Sequence, residues 1–312
     1  MFRKENPMTE SEMISMMNDC TLCPRQCHAD RLNGQVGFCG ETASIRGARA
    51  ALHFWEEPCI SGEAGSGAVF FSGCNMRCVF CQNHEIAGSK FGKQVSVEQL
   101  ADAFLRLQKQ GANNINLVTA THFIPQVIMA LDIARENGLS IPIVYNTSGY
   151  EEVSSLRLLD GYVDIYLPDF KYYSAEPAGR LSKAPDYFEK AKAAIAEMVR
   201  QCPTPVFDEA TGLMKKGIIV RHLVLPGYVK ESKKVLRYLH ETYKDAIYIS
   251  IMNQYTPLPH VAAYPDLNRK VSAEEYDRVL HFAEMIGIEQ GFMQEGEAAL
   301  ESFIPSFDGE GL

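Results

Sequence analysis

Short apolar runs alternate with longer amphipathic stretches along most of the chain. The runs are rich in Val, Ile and aromatic residues, which is typical of buried strands. The stretches between them repeat apolar residues at helical spacing, and capping boxes at Ser96 with Gln99 and at Ser272 with Glu275 predict two helix starts. Strands are predicted near residues 70, 117, 143, 165, 221 and 249, and helices over 97–111, 125–137, 151–159, 185–199, 230–243 and 272–287.

Alternating strands and helices predict an α/β fold built on one parallel sheet. The pattern leaves open whether that sheet is flat or curls into a barrel. In either case ligands bind at the carboxyl ends of the strands, so polar residues just past each strand are candidates for a site. Six such strand ends follow the predicted strands: Cys74 to Cys81, Thr119 to His122, Asn146 to Gly149, Asp169 to Lys171, Arg221 to Gly227, and Asn253 to Thr256.

Length and charge narrow the class of protein. A chain of 312 residues is long enough for one large barrel or for two ordinary domains. Its net charge of −9 argues against a nucleic-acid or membrane-surface partner. The N-terminus lacks the apolar core of a signal peptide and no apolar run could span a bilayer, so a cytoplasmic protein is expected. The adjacent pair Glu56 and Glu57 is predicted to lie on the solvated surface.

The nine cysteines indicate metal chemistry, because disulfides are rare in the cytoplasm. Cys74, Cys78 and Cys81, spaced C-x3-C-x2-C, directly follow an apolar run. Three such thiolates can ligate three irons of a cubane cluster, and because no fourth cysteine follows closely, one iron would stay open for a small ligand. Two alternatives are a zinc site completed by His84 and three unliganded thiols.

A second cysteine set precedes the first predicted strand, with glycines beside its last member that suit a tight metal-binding knuckle. Four cysteines provide complete thiolate ligation, so this set is predicted to hold either structural zinc or a closed iron–sulfur cluster. Four unliganded thiols are the alternative. The set consists of Cys20, Cys23, Cys27 and Cys39, whereas Cys59 and Cys202 are assigned no role.

The cysteine loop also carries a family resemblance. Its C-x3-C-x-aromatic-C pattern, with Phe80 as the aromatic residue, resembles the signature of radical S-adenosylmethionine (SAM) enzymes. The longer string from Gly65 to Asn83 resembles pyruvate formate-lyase activating enzyme-like proteins. The resemblance implies an incomplete (β/α)6 TIM-like barrel, which we place over residues 61–290. The four-cysteine set, which related small activases lack, is predicted to form a metal-binding region over 1–60, and residues 291–312 are predicted to be a tail packed on the barrel. The resemblance also implies a 4Fe-4S cluster whose open iron holds the amino and carboxylate groups of SAM.

The same resemblance implies roles for strand-end residues. Phe80 would pack beside the adenine. Asp169-Phe170-Lys171 resembles the Asp-Leu-Lys of glycyl-radical activating enzymes, in which the lysine contacts the SAM carboxylate; the alternative here is a Lys171–Asp169 salt bridge. Arg221 resembles the family's strand-five arginine, and burial would require an anionic partner for it. Thr119, Thr121 and Asn146 complete the predicted cofactor-binding set.

Two departures from the family pattern qualify these roles. The family's Gly-Gly-Glu after the second strand is replaced by Thr119 to His122, so hydroxyls and backbone carbonyls would have to hold the SAM amino group. Asn253 and Gln254 stand where related activases place a histidine. His122 and His222 are predicted to be core histidines, not catalysts.

The resemblance implies that the function is reductive cleavage of SAM to a 5′-deoxyadenosyl radical, which abstracts hydrogen from a substrate. The expected substrate is a protein, as for glycyl-radical enzyme activases, and the expected electron donor is a flavodoxin- or ferredoxin-type protein. The alternatives are modification of a small metabolite or another peptide, and a non-catalytic iron–sulfur electron carrier.

Overall fold

The computed structural model describes residues 8–88, 91–294, 305 and 307–312. The six predicted strands are all present in it. The strands are β1 (Arg46–His53), β2 (Ser66–Phe71), β3 (Lys93–Gln94), β4 (Ile115–Val118), β5 (Ile143–Thr147), β6 (Ile165–Pro168), β7 (Val206–Phe207), β8 (Met214–Leu223), β9 (Tyr248–Met252) and β10 (Gly291–Met293). The helices are α1 (Glu10–Ser15), α2 (Pro58–Ser61), α3 (His84–Ala87), α4 (Val97–Lys109), α5 (Ile124–Glu136), α6 (Val153–Leu158), α7 (Ala175–Ser182), α8 (Tyr187–Gln201), α9 (Val229–Tyr243) and α10 (Ala273–Met285).

The strands form one mixed sheet in the order β10-β9-β8-β6-β5-β4-β2-β1-β3, with β7 paired to β8 outside this path. Neighbours from β2 to β10 along the path are parallel, whereas β1 runs antiparallel to β2, and β3 antiparallel to β1. The predicted α/β fold with a parallel centre is therefore confirmed. The antiparallel edge makes the sheet mixed.

The central strands are buried on both faces, as parallel strands covered by helices must be. Every residue of β2, β4, β5 and β6 is buried. Helix α4 faces the sheet with Leu100, Phe104 and Leu107, and the capping boxes at Ser96 and Ser272 start α4 and α10 as predicted.

Several short elements were not predicted from the sequence, and α7 and β10 show why. Helix α7 contains Pro177 and Gly179, which both weaken a helix signal; the proline is tolerated because it lies in the first turn. Strand β10 is only three residues long and starts at a glycine. Strand β8 also begins at Met214, earlier than the predicted run near 221.

Both ends of the described chain pack on this sheet and its helices. Helix α1 starts in a capping box at Thr9, and the methionine beyond it, Met17, accepts a hydrogen bond from the Gln126 amide of α5 at 3.2 Å. Near the other end, the Gly309 amide donates to the Ala48 carbonyl of β1 at 2.9 Å. Among the described residues, none of the helices has the length and apolar character that crossing a membrane requires.

Candidate functional site

The loop that carries Cys74, Cys78 and Cys81 leaves the end of β2 through Gly73. This glycine has φ +83°, and a Cβ there would lie 2.6 Å from Glu41 Cγ and 2.8 Å from the Cys39 carbonyl oxygen. A side chain would therefore clash even if the left-handed backbone were tolerated. Glycine is required at this position for the loop to pass under the segment that contains Cys39.

The three thiols of this loop belong to partly buried residues whose surroundings disfavour the thiolate form. Burial raises the pKa of Cys74 to about 11 and also raises the pKa values of Cys78 and Cys81, while Lys171 acts in the opposite direction on all three. The Met76 amide donates to Cys74 Sγ at 3.4 Å, and the Ser182 hydroxyl donates to Cys78 Sγ at 3.0 Å. Lys171 does not offset the effect of burial on these pKa values, so the thiols stay protonated at neutral pH unless a metal binds them.

The donor chemistry of this loop fits an iron–sulfur cluster. Three partly buried thiols, N–H and O–H donors directed at sulfur, and a neighbouring ammonium group are what an anionic thiolate-bound cluster needs. Within the described parts of the chain, no three His, Cys, Asp or Glu side chains converge tightly enough to hold one metal ion. The thiolates of a cubane cluster need not converge in that way, because each ligates a different iron.

A chain of ion pairs crosses the strand ends beside the loop. Lys171 Nζ lies 2.6 Å from Asp169 Oδ2, Arg221 Nε lies 3.0 Å from Asp169 Oδ1, and Arg221 Nη1 lies 3.0 Å from Glu56 Oε2. The Lys171–Asp169 salt bridge considered from the sequence is therefore present. Although burial alone would raise the pKa of Asp169, the two cations lower it. Any ligand carboxylate that reaches Lys171 must share the ammonium with Asp169.

The prediction that Glu56 and Glu57 are solvated surface is wrong. The Glu56 side chain is 9% exposed and the Glu57 residue 8%. Beyond β1 the chain turns back under the strand ends, where Glu56 Oε1 accepts hydrogen bonds from Asn116 Nδ2 at 3.1 Å and Asn146 Nδ2 at 3.2 Å. Burial raises the pKa of Glu57, and Arg221 opposes the shift. Two adjacent glutamates are typical of an exposed turn, but here contacts with distant strand ends bury them.

A small polar cavity of about 90 Å³ lies at the centre of these contacts. Its polar lining includes His53, Glu56, Gln82, Asn146, Arg221 and Gln254. Gln82 directly follows the last cysteine of the loop, so the cavity adjoins the thiol pocket. A larger open groove of about 400 Å³, lined by Phe207, Tyr248 and Phe292 among others, lies at the amino ends of β8 and β9 and contains none of the predicted site residues.

The strand end that replaces Gly-Gly-Glu has an unusual backbone. Thr119 has φ +61°, rare for a β-branched residue, and its amide donates to the Asn146 carbonyl at 2.9 Å. The Thr121 hydroxyl donates to Glu151 Oε1 at 2.6 Å, and Asn146 Oδ1 accepts from Arg221 Nη2 at 2.6 Å. The side chains of Thr121 and Asn146 are therefore already held by protein partners.

Glu151 is a buried carboxyl that the sequence reasoning missed. It accepts hydrogen bonds from the hydroxyls of Thr121, Thr147 and Tyr145, and burial nonetheless raises its pKa to about 7. Its signal was available, because it follows β5 just beyond the strand-end residues considered. Ser182, which donates to Cys78, lies in the unpredicted α7 and had no comparable signal.

Of the remaining predicted residues, Phe80, His122 and His222 are buried, whereas His84 is exposed. Phe80 packs against Tyr255, with ring centroids 6.4 Å apart. His122 and His222 lie in the interior, where burial lowers the pKa of His122 to about 3 and also lowers that of His222. His84, the ligand of the zinc alternative, is stacked on His260, with centroids 4.3 Å apart.

The N-terminal cysteines lie near enough to influence one another electrostatically, but among the described residues no three of them converge tightly enough to hold one metal ion, so their common site stays a prediction. Burial raises the pKa of Cys23 to about 12, and the charges of Cys39 and Cys27 act in the same direction; Cys20 and Cys27 have that effect on Cys39. The Phe38 amide donates to Cys27 Sγ at 3.1 Å. This segment, the N-terminal knuckle (Cys20 to Cys39), covers the ends of β4 and β5 beside the cysteine loop.

Comparisons with known proteins fix the family. Residues 68–239, more than half of the chain, match the family model of the Radical SAM superfamily. The chain belongs to the radical SAM superfamily, whose members are generally enzymes, and this membership implies a 4Fe-4S cluster and bound SAM. Two uncharacterized proteins of Methanocaldococcus jannaschii are similar to this chain. One is 28% identical over 88% of this chain and 77% of its own length, and the other is 24% identical over 91% of this chain and 83% of its own length.

Solved structures agree in fold alone, because their sequence identities are low. A radical SAM methyltransferase from Sphaerobacter thermophilus matches with a TM-score of 0.50 and 17% identity over 73% of this chain and 66% of its own. The FeFe-hydrogenase maturase HydG from Carboxydothermus hydrogenoformans matches with 0.50 and 12% over 76% and 55%. Methylornithine synthase matches with 0.50 and 11% over 98% and 90%. The chain thus spans two thirds or less of the first two structures.

Proposed function

We propose that this chain is a radical SAM enzyme of the pyruvate formate-lyase activating enzyme-like type, with a protein as its substrate. The observation that carries the proposal is the partly buried set of Cys74, Cys78 and Cys81, which lies near Lys171 and accepts a hydrogen bond from Ser182. Three thiolates would leave one iron of a 4Fe-4S cluster for SAM. Together, the bound cluster and SAM supply a 5′-deoxyadenosyl radical that removes hydrogen from a substrate.

The surrounding residues would hold SAM by complementary contacts. Lys171 would share its ammonium between Asp169 and the SAM carboxylate, and Arg221 would keep Asp169 ionised. Phe80 would pack beside the adenine. At the amino group, the left-handed Thr119 turns its backbone at the strand end, which supports binding by carbonyl and hydroxyl oxygens from the Thr119–Thr121 segment and Asn146.

We further propose that the sheet curves into an incomplete (β/α)6 barrel. On a flat sheet β4 and β8 would be about 14 Å apart, three strand spacings. Glu56 nevertheless bonds both Asn116 of β4 and Arg221 of β8. Curvature that brings the strand ends toward each other accounts for this bridge. A barrel open along one side would admit an extended loop of a protein substrate.

The N-terminal knuckle is proposed to hold a second metal centre, zinc or iron–sulfur. Burial raises the pKa values of Cys23 and Cys39, and a metal ion that accepts them as thiolates would offset that cost. Arg31, which is 1% exposed, donates to Cys20 Sγ at 3.6 Å, and its cationic charge favours thiolate ligands. A flavodoxin- or ferredoxin-type protein is the proposed electron donor.

The proposal is tested by anaerobic reconstitution with iron and sulfide, reduction, and measurement of 5′-deoxyadenosine from SAM. Multiple turnovers support a radical enzyme. A reduced, cluster-loaded protein that releases no 5′-deoxyadenosine leaves the non-catalytic electron carrier as the better account.

The substrate class is tested separately. Reduced enzyme and SAM are incubated with a glycyl-radical enzyme from the same cell, and the electron paramagnetic resonance (EPR) spectrum is recorded. A glycyl doublet supports the activase proposal. Rapid SAM cleavage without a doublet for any such partner would favour a small metabolite or another peptide as substrate.

A further inference from the structure

Arg25 lies inside the N-terminal knuckle but directs its side chain at the cluster loop. Its guanidinium donates to the carbonyl oxygens of Asn75 at 2.7 Å and Met76 at 3.4 Å, both between Cys74 and Cys78. It also donates to the carbonyls of Ser182 at 3.3 Å and Lys183 at the end of α7. One side chain therefore joins the cysteine loop to the helix whose Ser182 hydroxyl contacts Cys78.

The guanidinium is held rigidly between two rings. It lies 3.9 Å from the ring centroid of Phe38 in the knuckle and 5.0 Å from that of Tyr150 beyond β5. The backbone amide of Arg25 is hydrogen-bonded to Cys23. The same residue thus contacts a thiol of the N-terminal set through its amide and the cluster loop through its side chain.

Two further contacts close this junction. Arg77, the residue before Cys78, donates to the Phe38 carbonyl at 2.7 Å and stacks on the Phe38 ring at 4.7 Å. The Cys39 carbonyl lies against Gly73 so tightly that no side chain fits between them. Both ends of the cluster loop's first turn therefore rest on the knuckle.

We propose that Arg25 is a positioning residue that couples the N-terminal metal centre to the catalytic cluster. Metal bound by the knuckle fixes the turn between Cys23 and Cys27, and Arg25 transmits that order to the carbonyls of the Cys74–Cys78 turn. Loss of either the knuckle metal or Arg25 leaves the cluster-binding turn free to shift and weakens SAM binding at the open iron. This inference rests on the proposed function.

The test compares Arg25→Met, Arg25→Lys and Cys27→Ser with the control Arg135→Met in full-length, anaerobically reconstituted protein. Arg135 is a matched control because it also donates to two backbone carbonyls, at 2.9 and 3.3 Å, and stacks on Tyr162, but does so at the far end of α5. The readouts are the SAM-induced change in the EPR spectrum of the reduced cluster, the rate of 5′-deoxyadenosine formation, and the melting temperature. Knuckle metal is measured in variants that also lack Cys74, Cys78 and Cys81.

Arg25→Met is expected to diminish the SAM-induced spectral change and slow cleavage about tenfold or more, while knuckle metal is retained. Arg25→Lys should recover little, because an ammonium cannot replace the planar fork. Cys27→Ser should lose the knuckle metal and reproduce the Arg25→Met defect, and the double variant should be no worse than the more severe single variant. Arg135→Met should match the wild type.

The coupling is overturned if Arg25→Met matches Arg135→Met in spectrum and rate. It is also overturned if Arg25→Met releases the knuckle metal, which would make Arg25 a scaffold of the knuckle alone. Independent, multiplying defects in the double variant would likewise contradict a shared route. A wild-type protein that never cleaves SAM would instead refute the proposed function.

Discussion

Both cysteine sets of this molecule need a metal to stabilise their thiolates, but different parts of the fold support them. Both contain thiols whose pKa values are raised by burial, Cys23 in the N-terminal set and Cys74 in the loop set, so both need a metal to stabilise thiolates. The loop set follows the fully buried strand β2 and has Lys171, at another strand end, as a neighbouring positive charge. The N-terminal set lies in irregular chain, and Arg31, whose charge lowers the pKa of Cys39, belongs to the same segment.

The two cysteine sets therefore differ in what they need in order to form a site. Both segments contain left-handed non-glycine residues, Arg77 in the loop and Gln26 and His28 in the knuckle, and these cost conformational energy. The sheet fixes where the loop begins before any metal binds, whereas no strand fixes the knuckle. Without metal the loop should keep its place at the end of β2, although its Cys74–Cys78 turn can shift, and the knuckle should lose its shape. The loop set has three thiols and is suited to catalysis, while four thiols suit a closed structural or electron-transfer centre.

The largest expected effect is at the loop set. Replacing Cys74, Cys78 or Cys81 singly by alanine should abolish 5′-deoxyadenosine formation and the visible absorbance of the loop cluster, because two thiolates cannot retain it. Cys202→Ala is the control, since Cys202 is a more deeply buried cysteine that lies away from both sets. A single-alanine variant of the loop that cleaves SAM at the wild-type rate would sink this assignment.

The knuckle should bind metal independently of the loop. In the triple variant that lacks Cys74, Cys78 and Cys81, metal analysis should still find zinc or iron, and a chelator should then expose residues 20–40 to protease while the sheet stays intact. Finding neither metal in anaerobically purified triple variant would contradict the second centre. Cleavage within the sheet at the same rate as within the knuckle would contradict the difference in support.

Lys171→Met should slow SAM cleavage strongly, although less than the loss of a loop cysteine does. Burial would lower the pKa of Lys171, but Asp169 and the Cys78 thiolate outweigh it and raise the pKa, so the ammonium is charged beside the cluster. Its loss should slow cleavage about tenfold or more and weaken SAM binding. Lys190→Met, which removes a more exposed pair with Glu152, should leave the rate unchanged. Equal rates for both variants would remove Lys171 from the site.

These outcomes also bear on how far the sequence could be interpreted. The parallel centre of the sheet follows from its apolar runs, and the cysteine loop follows from spacing alone. The burial of Glu56 does not, because it depends on the chain turning back across strands that are remote in sequence. Nor does the pairing of Arg221 with Asp169 and Glu56, since a sequence reveals a cation but not which anion reaches it.

The role of the N-terminal knuckle illustrates the same limit. Its four cysteines are evident from the sequence, and their joint metal binding stays a prediction. That Arg25 reaches the carbonyls of Asn75 and Ser182 depends on packing between segments 50 and 157 residues apart, which no local pattern contains. Local chemistry is therefore predictable where one segment supplies all the ligands, and contacts between segments require the fold.

The smallest expected effect is a pH dependence at His122, which joins the two regions. The Nε2 of His122 lies 2.6 Å from the Ser72 carbonyl, and Arg31 Nη1 donates to the backbone carbonyl of His122 at 2.7 Å. The folded-state pKa of about 3 lies below the unfolded value, so His122 stabilises the fold fully above pH 6.5 and loses that contribution as the pH falls toward 3.

At pH 5 this loss corresponds to about 2 kcal/mol in the free energy of unfolding, relative to pH 7. His122→Gln keeps an N–H donor without the titration, so its free energy of unfolding should fall less between pH 7 and pH 5. Urea unfolding at the two pH values measures the difference, and His281→Gln, at an exposed position, is the control. Parallel losses in His122→Gln and wild type would show that His122 is not the titrating group.

The central claim is that the loop cluster keeps an iron open for SAM. Electron-nuclear double resonance of the reduced protein with SAM labelled at its carboxylate carbon and amino nitrogen tests it most directly, since only atoms bound at or next to the cluster couple to its spin. The account predicts couplings from both labels, retained in Cys202→Ala and absent from Cys78→Ala. A reduced, fully loaded cluster that shows no coupling to either label would contradict it.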